Sequence, residues 1–402
     1  MLADAVDRIY DERSGWWHKA VPDSGSASTI REWLAGRPTL DSLATPVMTL
    51  DESALAHNVA AMADWCRDAG LGHMPHGKTT MAPQLWLRQL SAGAEGITLA
   101  NAPQLRVARA FGVPRVLLAN ELVHPVHLAW LADWLTEGGD VTCLVDSHEG
   151  VARADEAMRE RGVRLPVCVE LGAPGARGGV RDVETALELA EAVRRAPGLR
   201  LAGVGGYEGS LAHDDAPESI AAVDRFLGDL ARLHRAIDWP DVPVVTAGGS
   251  EYFDQVAAAL APLAEEGAHV VLRAGSYITH DDGLYAGMTP AARSRSGPDL
   301  RAALRVYGTV VSMPEPGLAL LDVGRRDVSF DAGMPIALDH PDAAVVDLND
   351  QHAHLRGDVA ALSVGDVVRL GISHPCTAFD KWSLIPVVDA GGAVVDVVRT
   401  YF

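Results

Sequence analysis

Apolar positions along this chain recur in two rhythms, and the change between them falls near residue 300. From residue 72, short apolar runs alternate with longer stretches in which apolar residues return every three to four positions. The runs are GHMPHG (72–77), GITLA (96–100), RVLLAN (115–120), VTCLVD (141–146), LPVCVE (165–170), LRLAGVGG (199–206), VPVVTA (242–247) and AHVVLRA (268–274). Seven helical stretches separate them, among them MAPQLWLRQLSAG and PESIAAVDRFLGDLARLHRAI. Strand–helix alternation of this kind implies parallel pairing. Eight strands predict an α/β fold with a closed parallel (β/α)8 barrel of TIM type; an open doubly wound sheet is the alternative.

After residue 300 the segments LRVYGTVVSM, LALLDVG, GDVVRLGIS, LIPVVD and AVVDVVR read as strands separated by turns, with little helix. They predict a second, mainly antiparallel β-domain over 300–402, with AGMTPAARSRSGPD (286–299) as the linker. At the other end, residues 1–45 read as helical and turn segments with several aromatics (Tyr10, Trp16, Trp17, Trp33), and SGSAS (24–28) as a loop. This extension is expected to pack on the β-domain. TPVMTLD (45–51) reads as a strand whose Asp51 caps the helix ESALAHNVAAMADWCRDAG, so the barrel domain is placed at 46–285.

Composition narrows the function classes. Of 402 residues, 48% are hydrophobic and 22% charged, which fits a packed globular core. The net charge of −20 repels phosphate backbones and anionic lipid, so neither nucleic acid nor membrane is an expected partner. The first residues lack the basic start and apolar run of a signal peptide, and no apolar stretch approaches a membrane span. Cys66, Cys143, Cys168 and Cys376 form no CxxC pair, which fits a reducing cytoplasm. Of the 34 lysines and arginines only three are lysine, Lys19, Lys78 and Lys381. Where arginine serves nearly every surface charge, a retained lysine points to amine chemistry that a guanidinium cannot perform.

In a β/α barrel the active site lies at the C-terminal ends of the strands. The first strand ends at His76-Gly77-Lys78, the fifth at Glu170 before a Gly-rich loop with Arg177, and the sixth at Tyr207-Glu208. The seventh ends at Gly248-Gly249-Ser250 and the eighth at Gly275-Ser276-Tyr277. Two glycines and a serine at a strand-to-helix turn form a candidate phosphate cradle; an ordinary turn is the plain alternative. A lysine on the same rim can form imines with carbonyl compounds, where otherwise it would be a salt-bridged loop residue. Together the two features point to pyridoxal 5'-phosphate, which needs both. In the β-domain, His374 and Cys376 stand two residues apart, and imidazole with thiolate suits zinc. Two ligands are fewer than a catalytic zinc has, and His352 is one candidate for a third. A turn with a buried cysteine is the plain alternative.

At these residues the sequence resembles the D-serine dehydratase and D-threonine aldolase family, fold-type III pyridoxal-phosphate enzymes with an alanine-racemase-like barrel. The resemblance runs from about residue 45 to the end. It rests on TPVMTLDESALAHNV, PHGKTT, YEG (207–209), AGGS (247–250), RAGSYITHDD (273–282), DQHAHL (350–355) and HPC (374–376). It implies that Lys78 carries the cofactor and acts as the base at Cα. It implies further that Gly248, Gly249 and Ser250 bind the phosphate, that Tyr207 and Tyr277 line the site, and that Arg177 reaches the phenolic oxygen. ELGAPGARGGV departs from the family's acidic residue, Gly, Arg pattern at that last position. His374 and Cys376 would hold zinc. The aldolases usually have Asp where Cys376 stands, so the resemblance favours dehydration of a D-3-hydroxy amino acid such as D-serine to a 2-oxo acid and ammonia. A D-threonine-type aldolase and an amino acid racemase are the alternatives, and a homodimer that completes each site is expected.

Overall fold

Barrel strands are mostly buried along their length, whereas several strands outside the barrel alternate with exposed positions. In the computed structural model, which describes residues 2–21, 28–293 and 295–402, these strands form two sheets. The loop expected at SGSAS lies, apart from Ser28, outside the described residues. In chain order the first nine strands are β1 (Val47–Asp51), β2 (Gly72–His73), β3 (Ile97–Leu99), β4 (Val116–Glu121), β5 (Val141–Val145), β6 (Leu165–Leu171), β7 (Leu199–Gly206), β8 (Val244–Ala247) and β9 (His269–Leu272). Strands β2 to β9 make one sheet of parallel pairs, ordered β2-β9-β8-β7-β6-β5-β4-β3. A parallel bridge between His76 and Thr98 joins its two ends and closes the barrel. Six of the eight strands fall within the apolar runs that predicted them, and β4 and β6 run one residue past theirs, to Glu121 and Leu171.

The helices around the barrel start where the local sequence dictates. Asp51, Asn101, Ser147 and Asp182 each accept a backbone N–H of the first turn, and the helices at Pro83, Pro125 and Pro217 carry proline at their start. The helices pack on the strands through one continuous apolar core that extends into the second sheet.

The second sheet contains β10 (Leu304–Glu315), β11 (Leu318–Leu321), β12 (Ile336–Ala337), β13 (Ala343–Leu348), β14 (Ala353–Gly357), β15 (Val367–Gly371), β16 (Leu384–Val388) and β17 (Val394–Arg399). It also contains β1, which pairs antiparallel with β10 and parallel with β16. The strand that the sequence grouped with the barrel at 46 is therefore a central strand of the other domain. Its residues Val47–Leu50 are all buried, as a position between two neighbours demands. The remaining pairs in this sheet are antiparallel.

Two connecting segments are fastened. Residues 284–293 form the helix Leu284–Met288 and a 3-10 turn, and Arg295 pairs with Asp254 (2.6 Å) on the barrel wall. This part of the expected linker is thus held to the barrel by an ion pair. In the N-terminal extension, Ile9, Val21 and Ile30 bury against Leu384 and Val397, and the Tyr10 hydroxyl donates to Asp396 (2.6 Å). Among the described residues no helix is long and apolar enough to cross a membrane.

Candidate active site

At the C-terminal mouth of the barrel, strand ends from β2, β6, β7, β8 and β9 meet one loop of the second sheet. Between them lies a cleft of about 740 Å³, partly open to solvent. Its lining includes Lys78, Arg177, Tyr207, Gly248, Gly249, Ser250, His374 and Cys376, all of them singled out in the sequence. It also includes His76, Glu170, Arg273, Ser276 and Tyr285.

Lys78 sits in the 3-10 turn Gly77–Thr79 that follows β2, and it is half-buried. Burial lowers its pKa below the ordinary lysine value; the nearby Cys376 opposes this, and Arg177 and Arg273 add to it. The result is an amine closer to its nucleophilic form. His76 beside it is half-buried, its buried Nδ1 has no hydrogen-bond partner among the described residues, and burial followed by the Lys78 charge holds its pKa well below the usual range. The ring is therefore neutral and presents a polar atom with no protein acceptor or donor.

The loop after β8 differs from its expected role. Gly248 and Gly249 line the cleft, yet their N–H groups donate to the two carboxylate oxygens of Glu208 (3.0 and 2.6 Å). Glu208 has no exposed surface, and a buried carboxylate without donors is costly, so it takes the nearest pair of amides. The N–H groups of Ser250 and Ser276, among others of the lining, find no acceptor among the described residues. Close approach to this region is built in, because a Cβ on Gly275 would lie 2.3 Å from the His76 carbonyl oxygen. Below it, the buried Arg273 donates to Thr246 Oγ1 (3.1 Å) and the Gly206 carbonyl (2.7 Å). At the rim, Arg177 lies over the Tyr207 ring, 4.7 Å from its centroid.

Tyr277 is not in the cleft. Its hydroxyl accepts from Gln89 Nε2 (3.0 Å), its ring packs 5.4 Å from His73, and it lines a separate cavity beside the helix Glu52–Asp68. A 3-10 turn rotates successive side chains by a third of a turn, so Ser276 faces in and Tyr277 faces back. The phenol that enters the cleft from this segment is Tyr285, eight residues on in sequence. No pattern in the sequence marked it.

The second sheet delivers His374 and Cys376 on the loop after β15. His374 has a left-handed backbone (φ 67°), held by its N–H donating to Asp281 Oδ2 (2.8 Å). Its Nδ1 is 2.6 Å from Asp331 Oδ2, and Thr377 Oγ1 donates to Asp331 Oδ1 (2.7 Å). Asp331 thus fixes the ring with Nε2 directed away from it, an arrangement common behind metal-ligating histidines. Cys376 Sγ lies 3.2 Å from Thr79 Oγ1 and 3.7 Å from Ser276 Oγ. A hydrogen bond with Cys376 raises the His374 pKa to about 9, against burial and with help from Asp331. Burial pushes the Cys376 thiol up, but the His374 bond and charge outweigh it and leave it lowered. The pair is an imidazole and a thiol tending to thiolate, a donor set that suits zinc. His352 does not join them: it is exposed in the turn between β13 and β14. Among the described residues no group of three or more His, Cys, Asp or Glu side chains could hold a metal, so the chain offers two donors here. Across the cleft, Glu170 lies beside Glu121, whose pKa is raised to about 8 by burial and by that neighbouring carboxylate.

Comparison with known proteins shows what the chain as a whole is similar to. The family model described as alanine racemase, N-terminal domain, matches residues 50–277, and that of a putative serine dehydratase domain matches residues 303–388. A D-threonine aldolase from Arthrobacter sp. is 30% identical over 86% of this chain and 89% of its own. A D-threo-3-hydroxyaspartate dehydratase from Delftia sp. (strain HT23) is 30% identical over 73% of this chain and 75% of its own. Among solved structures, the D-threonine aldolase from Filomicrobium marinum has a TM-score of 0.79 at 26% identity, covering 89% of this chain and 95% of its own.

Proposed function

We propose a reaction from a premise of descent: the chain belongs to the alanine racemase N-terminal domain family, here joined to a serine dehydratase-type β-domain. Its relatives are lyases of D-3-hydroxy amino acids. The reading is a pyridoxal-phosphate-dependent, zinc-assisted β-elimination that converts such a substrate to a 2-oxo acid and ammonia. The observation that carries it is the meeting of Lys78 from the barrel and His374 with Cys376 from the β-domain in one cleft.

Lys78 would hold the cofactor as an imine. Ser250 and Ser276 would supply backbone donors to its phosphate, beside Gly248 and Gly249, whose amides Glu208 keeps in place. Arg177, Tyr207 and Arg273 would flank its ring. When bound, the cofactor supplies an electron sink for the pair left at Cα. The Lys78 amine would take the Cα proton, a task its lowered pKa suits. His374 and Cys376 would hold zinc, whose chemistry here is Lewis-acid help to the departing hydroxyl. The imidazole fixed by Asp331 and the thiolate-leaning Cys376 fit that ion. D-Serine and D-threo-3-hydroxyaspartate are the substrates to try first, with a homodimer in a reducing cytoplasm as the working form.

A second reading is a retro-aldol lyase, favoured by the broader match to D-threonine aldolase. The product separates the two. Ammonia and a 2-oxo acid, lost on chelation and restored by zinc, are the expected result. Glycine and an aldehyde would establish the aldolase, and full racemisation after chelation would establish a racemase.

A further inference from the structure

Tyr285 is the cleft residue with no role so far. Its oxygen accepts a hydrogen bond from Ser276 Oγ (3.3 Å), and that serine lies 3.7 Å from Cys376 Sγ. Its ring stands edge-on to His374, with centroids 6.3 Å apart. The phenol therefore belongs to the metal-donor side of the cleft. Its own proton has no acceptor among the described residues. One buried carboxylate fixes both partners: Asp281 Oδ1 accepts the N–H groups of Gly283, Tyr285 and Ala286 (3.2, 2.8 and 3.3 Å), while Oδ2 accepts that of His374.

We propose that Tyr285 is the general acid that protonates the substrate's departing hydroxyl oxygen. The inference rests on the elimination reading above. Hydroxide is a poor leaving group, and Lys78 cannot supply this proton while it is receiving the one from Cα. The steps balance as follows. The Cα–H bond breaks and its proton goes to Lys78. That electron pair becomes the second Cα–Cβ bond, the Cβ–O bond breaks with its pair on oxygen, and the Tyr285 proton makes that oxygen water. The phenolate then regains a proton from solvent at the cleft mouth. A phenol is protonated at neutral pH and can give its proton to that oxygen. Elimination needs such a donor at the β-oxygen; retro-aldol cleavage needs a base there.

The test compares leaving groups in Tyr285→Phe, a variant that removes only the hydroxyl. General acids typically contribute about 100-fold or more, so elimination of water from the D-hydroxy substrate should fall by at least that factor. Chloride departs without a proton, so turnover of β-chloro-D-alanine should fall less than about threefold. Zinc content and the visible absorbance of the lysine imine, both read on the resting protein, should be unchanged. Equal losses for the two substrates, no loss for either, or loss of zinc or imine in the variant would each overturn the assignment. A wild-type protein that makes glycine, or no ammonia, defeats the reading beneath it instead.

Discussion

The two walls of the cleft are built by different means. The barrel wall carries Lys78, Ser250, Arg273 and Ser276 at the ends of parallel strands, each strand locked in register by its neighbours. The opposite wall carries His374 on a loop and Cys376 and Tyr285 on two short helices, Cys376–Phe379 and Leu284–Met288. Its geometry depends on two aspartates, Asp281 and Asp331, which bond backbone and imidazole. A periodic scaffold positions side chains by rule; an irregular one positions them by individual hydrogen bonds. The barrel wall should therefore fail only when a chemical group is removed, whereas the loop wall should fail when a support is removed.

Lys78→Ala is the largest expected effect. It removes the amine and leaves every strand in place. The lysine imine should be absent after incubation with pyridoxal phosphate, and elimination should fall by about 1,000-fold or more, since a base and an anchor are lost together. Zinc content should be unchanged. A variant that still forms the imine, read by borohydride reduction and peptide mapping, would remove Lys78 from the site.

Asp331→Ala addresses the other wall. Asp331 would touch no metal, yet it would orient one of two donors. Losing such a support typically weakens metal affinity 10–100-fold, and that range is expected here by competition with a chromophoric chelator. The imine should form as in the wild type. An unchanged metal affinity would show that the His374 backbone, pinned by Asp281, suffices without the carboxylate.

The same contrast decides what could be read from the sequence. The eight barrel strands were legible because each is a short apolar run between helical stretches. Strand β1 has the same signature, and nothing local states that it pairs with β10 and β16 rather than in the barrel. Strands β13 and β14 carry exposed positions through their length and left no comparable run. Lys78, His374 and Cys376 stood out because their residue types are scarce or paired at a telling spacing. Arg273, Tyr285, Asp281 and Asp331 did not, because arginine, tyrosine and aspartate acquire these roles only through tertiary placement. Tyr277 shows the limit at one-residue scale: a 3-10 turn gave its inward position to Ser276. At Gly248 and Gly249 the glycines were noticed, but the carboxylate of Glu208 that takes their amides lies 40 residues away.

The smallest expected effect is also where the two walls act on one atom. Burial and the guanidinium groups of Arg177 and Arg273 lower the Lys78 pKa, while Cys376 on the opposite wall raises it. Imine formation requires the neutral amine, so on apoprotein its rate should rise with pH and level off below the range of a free lysine. Arg177→Met removes one positive charge from the barrel wall. The Lys78 pKa should then climb toward its ordinary value, and at neutral pH the neutral fraction should fall. A rise of half a unit is about a threefold loss of rate, and because Arg177 is exposed, added salt should shrink the difference. Zinc on the other wall should move the midpoint oppositely, since a cation there cancels the negative charge that raises it. Stopped-flow absorbance across pH, with and without zinc, reads both shifts. If neither change moves the midpoint, burial alone sets the amine's reactivity and the two walls are electrostatically independent.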